Sequence, residues 1–169
     1  MLFRSVYPTA IRVAMHIGIA RLLAAMAVLR AAFEGKAAEF ASLVKIGRTQ
    51  LQEAVPMTLG QEFGAFATTL GEDEERLREA ARLITEINLG ATAIGTGITA
   101  PPGYAAAACR HLSALTGVAF ATAPDLIEAT SDAGAFVQLS GVLKRIAVKS
   151  EEHTSELQSL AYLVCRLLL

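Results

Sequence analysis

The sequence predicts an all-α protein, a bundle of long helices, on three observations. Apolar residues make up 53% of the 169-residue chain, yet only 6% of it is aromatic and there is no Trp, so the apolar content is mostly the Ala, Leu, Ile and Val of closely packed helices. Those residues recur at spacings of three, four and seven over two very long stretches, which is helical periodicity. No stretch alternates convincingly between apolar and polar residues, as a half-buried strand would. The length suits one domain with a real core rather than two.

The first helix is expected from the Pro8-Thr9 pair to about Val44, with Ile11, Met15, Leu22, Met26, Leu29 and Phe33 on the helical repeat. A second is expected from Thr58 to about Asn88. Its start, T-L-G-Q at 58–61, has capping-box spacing, in which the Thr hydroxyl accepts an early amide and the Gln reaches back. Glu72/Arg76 and Glu74/Arg78 within it stand four apart and read as a solvated, charged face. A 30-residue helix is about 45 Å long. Helices of that length and apolarity predict a bundle completed by other chains.

The stretch 88–104, rich in Gly and Thr and ending in Pro101-Pro102, must be a loop. A short helix over about 103–116 follows. The last helix is expected from Asp125, where D-L-I-E again has capping spacing, to Lys149.

Charge and composition exclude several functions. A formal net charge of −1 without a basic cluster argues against a nucleic-acid partner. A spanning helix needs roughly 20 predominantly apolar residues. Arg12, Arg21 and Arg30 leave only eight-residue uncharged gaps in the first helix, so no membrane span is expected. The N-terminus lacks the pattern of a signal peptide. Cys109 and Cys165 cannot form a disulfide framework or a zinc site alone, and a reducing cytoplasm is the expected location. His16, His111 and His153 lack metal-ligand spacing, and no Ser or Cys has a sequence-adjacent base. Gly95-x-Gly97 lacks the Gly-Lys-Ser/Thr and the preceding strand of a phosphate loop.

The stretch GRTQLQEAVPM, residues 47–57, stands apart from its greasy surroundings. Its Thr and Gln side chains offer neutral donors and acceptors and Arg48 a charge, beside a helix N-terminus with oriented amides. Together these suit a small carboxylate. An ordinary polar connector has the same composition, so both readings stand at this point.

Residues 150–169 raise a different possibility. Back-translated, Ser150–Ser159 and Leu163–Leu169 resemble the two constant parts of a sequencing-library adapter, with Leu160, Ala161 and Tyr162 at its barcode. A non-native tail is therefore expected there, and His153 and Cys165 carry no functional weight.

In order, KIGRTQLQEAVPMTLGQEFGAF (45–66), EINLGATAIGTGI (86–98), DLIEATSDAGAFV (125–137) and GVLKRIAVK (141–149) resemble the aspartase/fumarase superfamily, continuously from about Val6 to Lys149. The match is nearer its aspartases than its class II fumarases, which usually have His in place of Gln50 and an Asn-Lys-Phe-Glu type sequence in place of Asp125–Glu128. The resemblance implies a mostly helical subunit of a homotetramer, with active sites shared by three subunits. It implies reversible elimination of ammonia from L-aspartate to give fumarate; no cofactor is expected, and the residues indicate no metal site. A base removes the Cβ proton, and the neighbouring carboxylate takes up charge that positioned donors stabilise.

By the same resemblance Thr49 and Gln50 would contact a substrate carboxylate, while Gly47, Arg48, Gln52 and Thr96 would support the loops. Departures from the family pattern are equally specific. Leu2, Phe3, Arg4 and Ser5 stand where the family carries a substrate-gripping Ser-Thr-Asn-Asp run, and Thr99 stands where an Asn usually ends the glycine loop. The mobile loop with the catalytic Ser would lie beyond Lys149, so no catalytic residue is expected within the chain. The expected organisation is an aberrant start at 1–5, a partial central helical domain at 6–149 and the tail at 150–169, inactive by itself.

Overall fold

The structure is a computed structural model that describes residues 4–50 and 52–167, with side chains for 4–50 and 52–151. In chain order the elements are α1 (Val6–Glu39), β1 (Val44–Thr49), β2 (Gln52–Thr58), α2 (Leu59–Leu83), β3 (Glu86–Ile87), α3 (Tyr104–Thr116), β4 (Ala121–Thr122), α4 (Glu128–Ser131) and α5 (Gly134–Leu167). The helical architecture is as expected. His153 and Cys165 have side chains outside the described residues.

The main departure is at 44–58, where the expected connector is an antiparallel hairpin. Val44 pairs with Thr58, Ile46 with Pro56 and Thr49 with Gln52, and the register shifts between Ile46 and Arg48. Pro56 is tolerated because a two-stranded ribbon leaves each strand an edge that needs no donor. The last expected helix is also broken. Asp125 Oδ1 accepts from the amides of Ile127 and Glu128, starting the short α4. Asp132 then leaves the helix with extended backbone and its Oδ2 accepts from the Gly134 amide at the head of α5.

The chain divides into two compact units, Met1–Leu22 with Leu77–Gly141, and Leu23–Arg76 with Val142–Leu169. The first is built around buried Ile87, Cys109 and Phe120, with Val13, Leu89, Leu112 and Val118 packed against them. β3 and β4 pair in parallel over two residues, and the Cys109 thiol donates to the Phe120 carbonyl at 3.3 Å. Buried Asn88 ties three distant segments together, since its Nδ2 donates to the Arg4 carbonyl at 2.8 Å and to Thr130 Oγ1 at 3.1 Å.

In the second unit Phe33 of α1 and Phe40 just after it pack on Phe63 and Phe66 of α2, in contacts whose ring centroids lie 5.6–6.0 Å apart in tilted and edge-on pairs. These geometries suit the ring quadrupoles. Gly60 is required at the root of α2, because a Cβ there would lie 2.5 Å from the Ala37 carbonyl and 2.8 Å from Ala41 Cα. The charged run of α2 is not simply a solvated face. Glu72 does pair with Arg76 at 3.4 Å, but Asp73 and Glu74 are buried and bind arginines from other helices. Arg145 Nε reaches Asp73 at 2.7 Å and Arg30 Nε reaches Glu74 at 3.1 Å. The hydrogen bond to Glu74, then that to Glu34, raises the Arg30 guanidinium above its ordinary pKa.

By length and composition α1 is apolar enough to cross a bilayer, contrary to the expectation from its arginines. Core helices of soluble proteins pass the same test. An arginine near the middle of a span costs about 2.5–3.5 kcal/mol on insertion scales, which Arg12, Arg21 and Arg30 set against that length.

Candidate functional site: an exposed polar hairpin tip

The hairpin rises from the junction of α1 and α2. At its root the Leu59 amide donates to the Leu43 carbonyl at 2.8 Å and the Gly60 amide to the Phe40 carbonyl at 3.0 Å. The capping box expected at α2 forms reciprocally, with the Thr58 amide donating to Gln61 Oε1 at 2.9 Å and the Gln61 amide to Thr58 Oγ1 at 3.1 Å. Two early amides are thereby satisfied and the exit direction of β2 is set. Lys45 Nζ binds Glu62 Oε1 at 2.5 Å, joining β1 to the first turn of α2.

Beyond the root the hairpin is solvated. Arg48, Thr49, Gln50, Gln52 and Glu53 are all exposed. Gly47 occupies the register shift, where an added Cβ would press at 3.1 Å against both the Val55 carbonyl and Met57 Sδ. The bulge turns the strand and re-aims the residues that follow it. Arg48 pairs in register with Glu53, and Thr49 with Gln52, so Gln50 opens the turn. Gln50 has φ 51°, in the left-handed region that non-glycine residues seldom enter. A two-residue hairpin loop takes positive φ at its first position, so the tight turn itself sets this backbone, at a cost of about 1 kcal/mol or more for a non-glycine residue.

Of the residues expected to form the site, Gly47, Arg48, Thr49, Gln50 and Gln52 are thus brought together at one hairpin end. Thr96 belongs to the other unit and is exposed on the glycine loop. That loop is built on left-handed glycines. Gly95, at φ 105°, lies so close to Ile127 that a Cβ would overlap its backbone, and the Ala91 carbonyl accepts from the amides of both Gly95 and Gly97. Thr92, at φ 62°, is a second strained non-glycine residue. With Ser5, Val6, Gly90, Thr99 and Tyr104 it lines a mainly apolar cavity of about 230 Å³. Thr99, the departure from the family Asn, therefore sits on a cavity wall.

A larger cleft of about 380 Å³ surrounds Arg12, with Glu86, Glu128 and Asp132 on its walls. Burial chiefly lowers the Arg12 pKa, against the opposing pull of Glu86, Asp132 and Glu128. Its guanidinium lies 4.9 Å from the centre of the Phe136 ring and donates to the Leu83 carbonyl at 3.5 Å. It ties α1 to the end of α2 and to the first turn of α5. Among the described residues no group of three His, Cys, Asp or Glu side chains could hold a metal.

Sequence reasoning missed Asn88, Arg12 and the Lys45–Glu62 pair. Asn88 left one signal, an amide side chain two residues before the first glycine of the loop. The other two depend on pairings between distant segments and left none.

A long helix pair with a polar hairpin between them and a glycine loop after them makes up a mainly helical segment. The family model described as lyase matches residues 5–162, and the chain belongs to that family. It is 58% identical over 156 residues to an aspartate ammonia-lyase of Pseudomonas aeruginosa, covering 92% of this chain and 33% of the relative. To the aspartate ammonia-lyase of Escherichia coli it is 49% identical over 155 residues, covering 92% and 32%. The chain thus spans about a third of the length of the curated relatives it matches.

Among solved structures it resembles a fumarate lyase:delta crystallin from Brucella melitensis bound to cobalt, with TM-score 0.89 and 52% identity over 91% of this chain and 34% of that one. A class II fumarase from Schistosoma mansoni is also similar, with TM-score 0.83 and 28% identity over 86% and 34%.

Proposed function

We propose that this chain is a segment of an aspartate ammonia-lyase, an enzyme that reversibly eliminates ammonia from L-aspartate to give fumarate. The observation that carries the proposal is the 58% identity over 92% of the chain to a relative of that name. The identity to the class II fumarase structure is 28%, so the fumarase alternative is not favoured.

Within the whole enzyme Thr49 and Gln50 hold a substrate carboxylate. The Thr hydroxyl and Gln amide both donate hydrogen bonds to carboxylate oxygens, and as neutral groups they leave the charge on the substrate. As negative charge grows on the carboxylate beside the deprotonated Cβ, such donors stabilise the transition state more than the ground state. The hairpin supports the assignment by placing both side chains at its exposed end, where a ligand could reach them. Gly47, Arg48 and Gln52 shape the hairpin, and Thr96 supports the glycine loop.

Catalytic groups come from the rest of the enzyme, so the segment alone is inactive. The whole enzyme is a soluble, cytoplasmic homotetramer with no cofactor. Exposed Val28, Val44, Val55 and Val137 fit surfaces that other helices cover. The experiment is an assay of the complete lyase that carries this segment, supplied with aspartate and followed by fumarate absorbance. Fumarate formation from aspartate is expected. Hydration of fumarate to malate without ammonia chemistry would overturn the proposal.

A further inference from the structure

Within this segment the hairpin beyond its root is exposed on both faces, so the segment's own hold on its direction lies at the root. Backbone bonds from Leu59 and Gly60 fix where the strands start, but both lie at the junction itself. Among the described residues a side-chain ion pair also joins β1 to the first turn of α2. Lys45, on β1, reaches Glu62, on α2, with side-chain exposures of 22% and 19%. Glu62 Oε2 is buried and has no hydrogen-bond partner among the described residues. The carboxylate therefore depends on Lys45 for its compensation. Glu62 stands in the first turn of α2, where the helix dipole favours a negative charge.

We infer that the Lys45–Glu62 ion pair is a positioning device: it sets the angle at which the hairpin presents Thr49 and Gln50 to substrate. The inference rests on the reading that the hairpin tip meets a substrate carboxylate. Lys45 is four residues before Thr49 on the same strand, so a change of angle at Lys45 is carried outward along β1 to the tip. Small misplacements of binding groups are costly in catalysis.

The two halves of the pair are unequal. Removing Lys45 strands a mostly buried carboxylate with no partner, whereas neutralising Glu62 frees a lysine that can turn to water. Lys45→Met is therefore expected to disturb the hairpin more than Glu62→Gln.

The test uses the complete lyase carrying this segment and two readouts, hydrogen exchange of the hairpin amides over 46–57 and steady-state kinetics with aspartate. Lys45→Met is expected to speed hairpin exchange while leaving the helix amides of α2 protected. It should also raise KM about tenfold with a smaller change in kcat, as for lost substrate positioning. The reversed pair, Lys45→Glu with Glu62→Lys, should recover part of both effects. If Lys45→Met leaves hairpin exchange unchanged, the positioning role is wrong whatever the kinetics show. If exchange rises but KM does not, the pair holds the hairpin and the assignment of the tip to substrate is what fails. Loss of protection in α2 as well as the hairpin would mark the pair as a general support of the fold and overturn the inference.

Discussion

Arg145 Nε donates to Asp73 Oδ1 across 2.7 Å, binding α5 to a carboxylate of α2 that is almost wholly buried. The pair is lopsided, since the Arg145 side chain keeps 39% of its surface in water. Breaking a fully buried pair costs about 3–5 kcal/mol. Arg145→Met should cost about 2 kcal/mol, reduced because the arginine is partly solvated. Asp73→Leu should cost less, because it removes the buried charge together with its need for a partner. Denaturant unfolding of the complete lyase variants checks both values, and equal losses would refute the asymmetry.

Gln50→Gly separates presentation from stability. A glycine adopts the left-handed backbone of Gln50 without penalty, so the hairpin should gain about 1 kcal/mol. Slower hairpin exchange and a higher KM for aspartate are expected together in the complete enzyme. A faster-exchanging hairpin would show that the Gln50 side chain stabilises its own turn.

Gly95→Ala should be among the most damaging single changes in the glycine loop. Its φ of 105° is strained for any L side chain, and the new methyl would overlap the backbone of Ile127. Strain alone costs about 1–3 kcal/mol, before the overlap forces the loop away from α4. Gly103→Ala is the control, since it shares a positive φ but has nothing within 4 Å of its Cβ. Thermal unfolding should rank Gly95→Ala well below Gly103→Ala, and equal midpoints would contradict the close approach.

The isolated chain should associate. Val28, Val44, Val55 and Val137 are each at least 65% exposed, and surfaces of that kind associate unless covered. Sedimentation over a range of concentrations should show a rising mass. A sharp, concentration-independent thermal transition of a monomer would refute this.

The long helices were legible because Ile11, Met15, Leu22, Met26 and Phe33 keep a helical repeat whatever they pack against. The hairpin was not, for a physical reason. Alternation along a strand records one wet face and one dry face, and this hairpin is exposed on both over most of its length. Its bulge at Gly47 breaks the remaining period of Val44 and Ile46. The capping box at Thr58 and Gln61 was visible because both halves lie within four residues. Arg145 and Asp73 stand 72 residues apart, so nothing local announces their meeting. Thr49 and Gln50 could be picked out as a polar pair, but the turn that carries them and the strain at Gln50 emerge only in three dimensions.

The most direct test of the hairpin tip as a carboxylate site is steady-state kinetics of Thr49→Ala and Gln50→Ala in the complete lyase carrying this segment. Each change removes a neutral donor, and loss of one hydrogen bond to a charged group corresponds to about 1.5–3 kcal/mol. A fall in kcat/KM for aspartate of about tenfold to a hundredfold is expected for each, with the fold and assembly unchanged. Values of kcat/KM within about twofold of the parent for both variants would contradict the assignment.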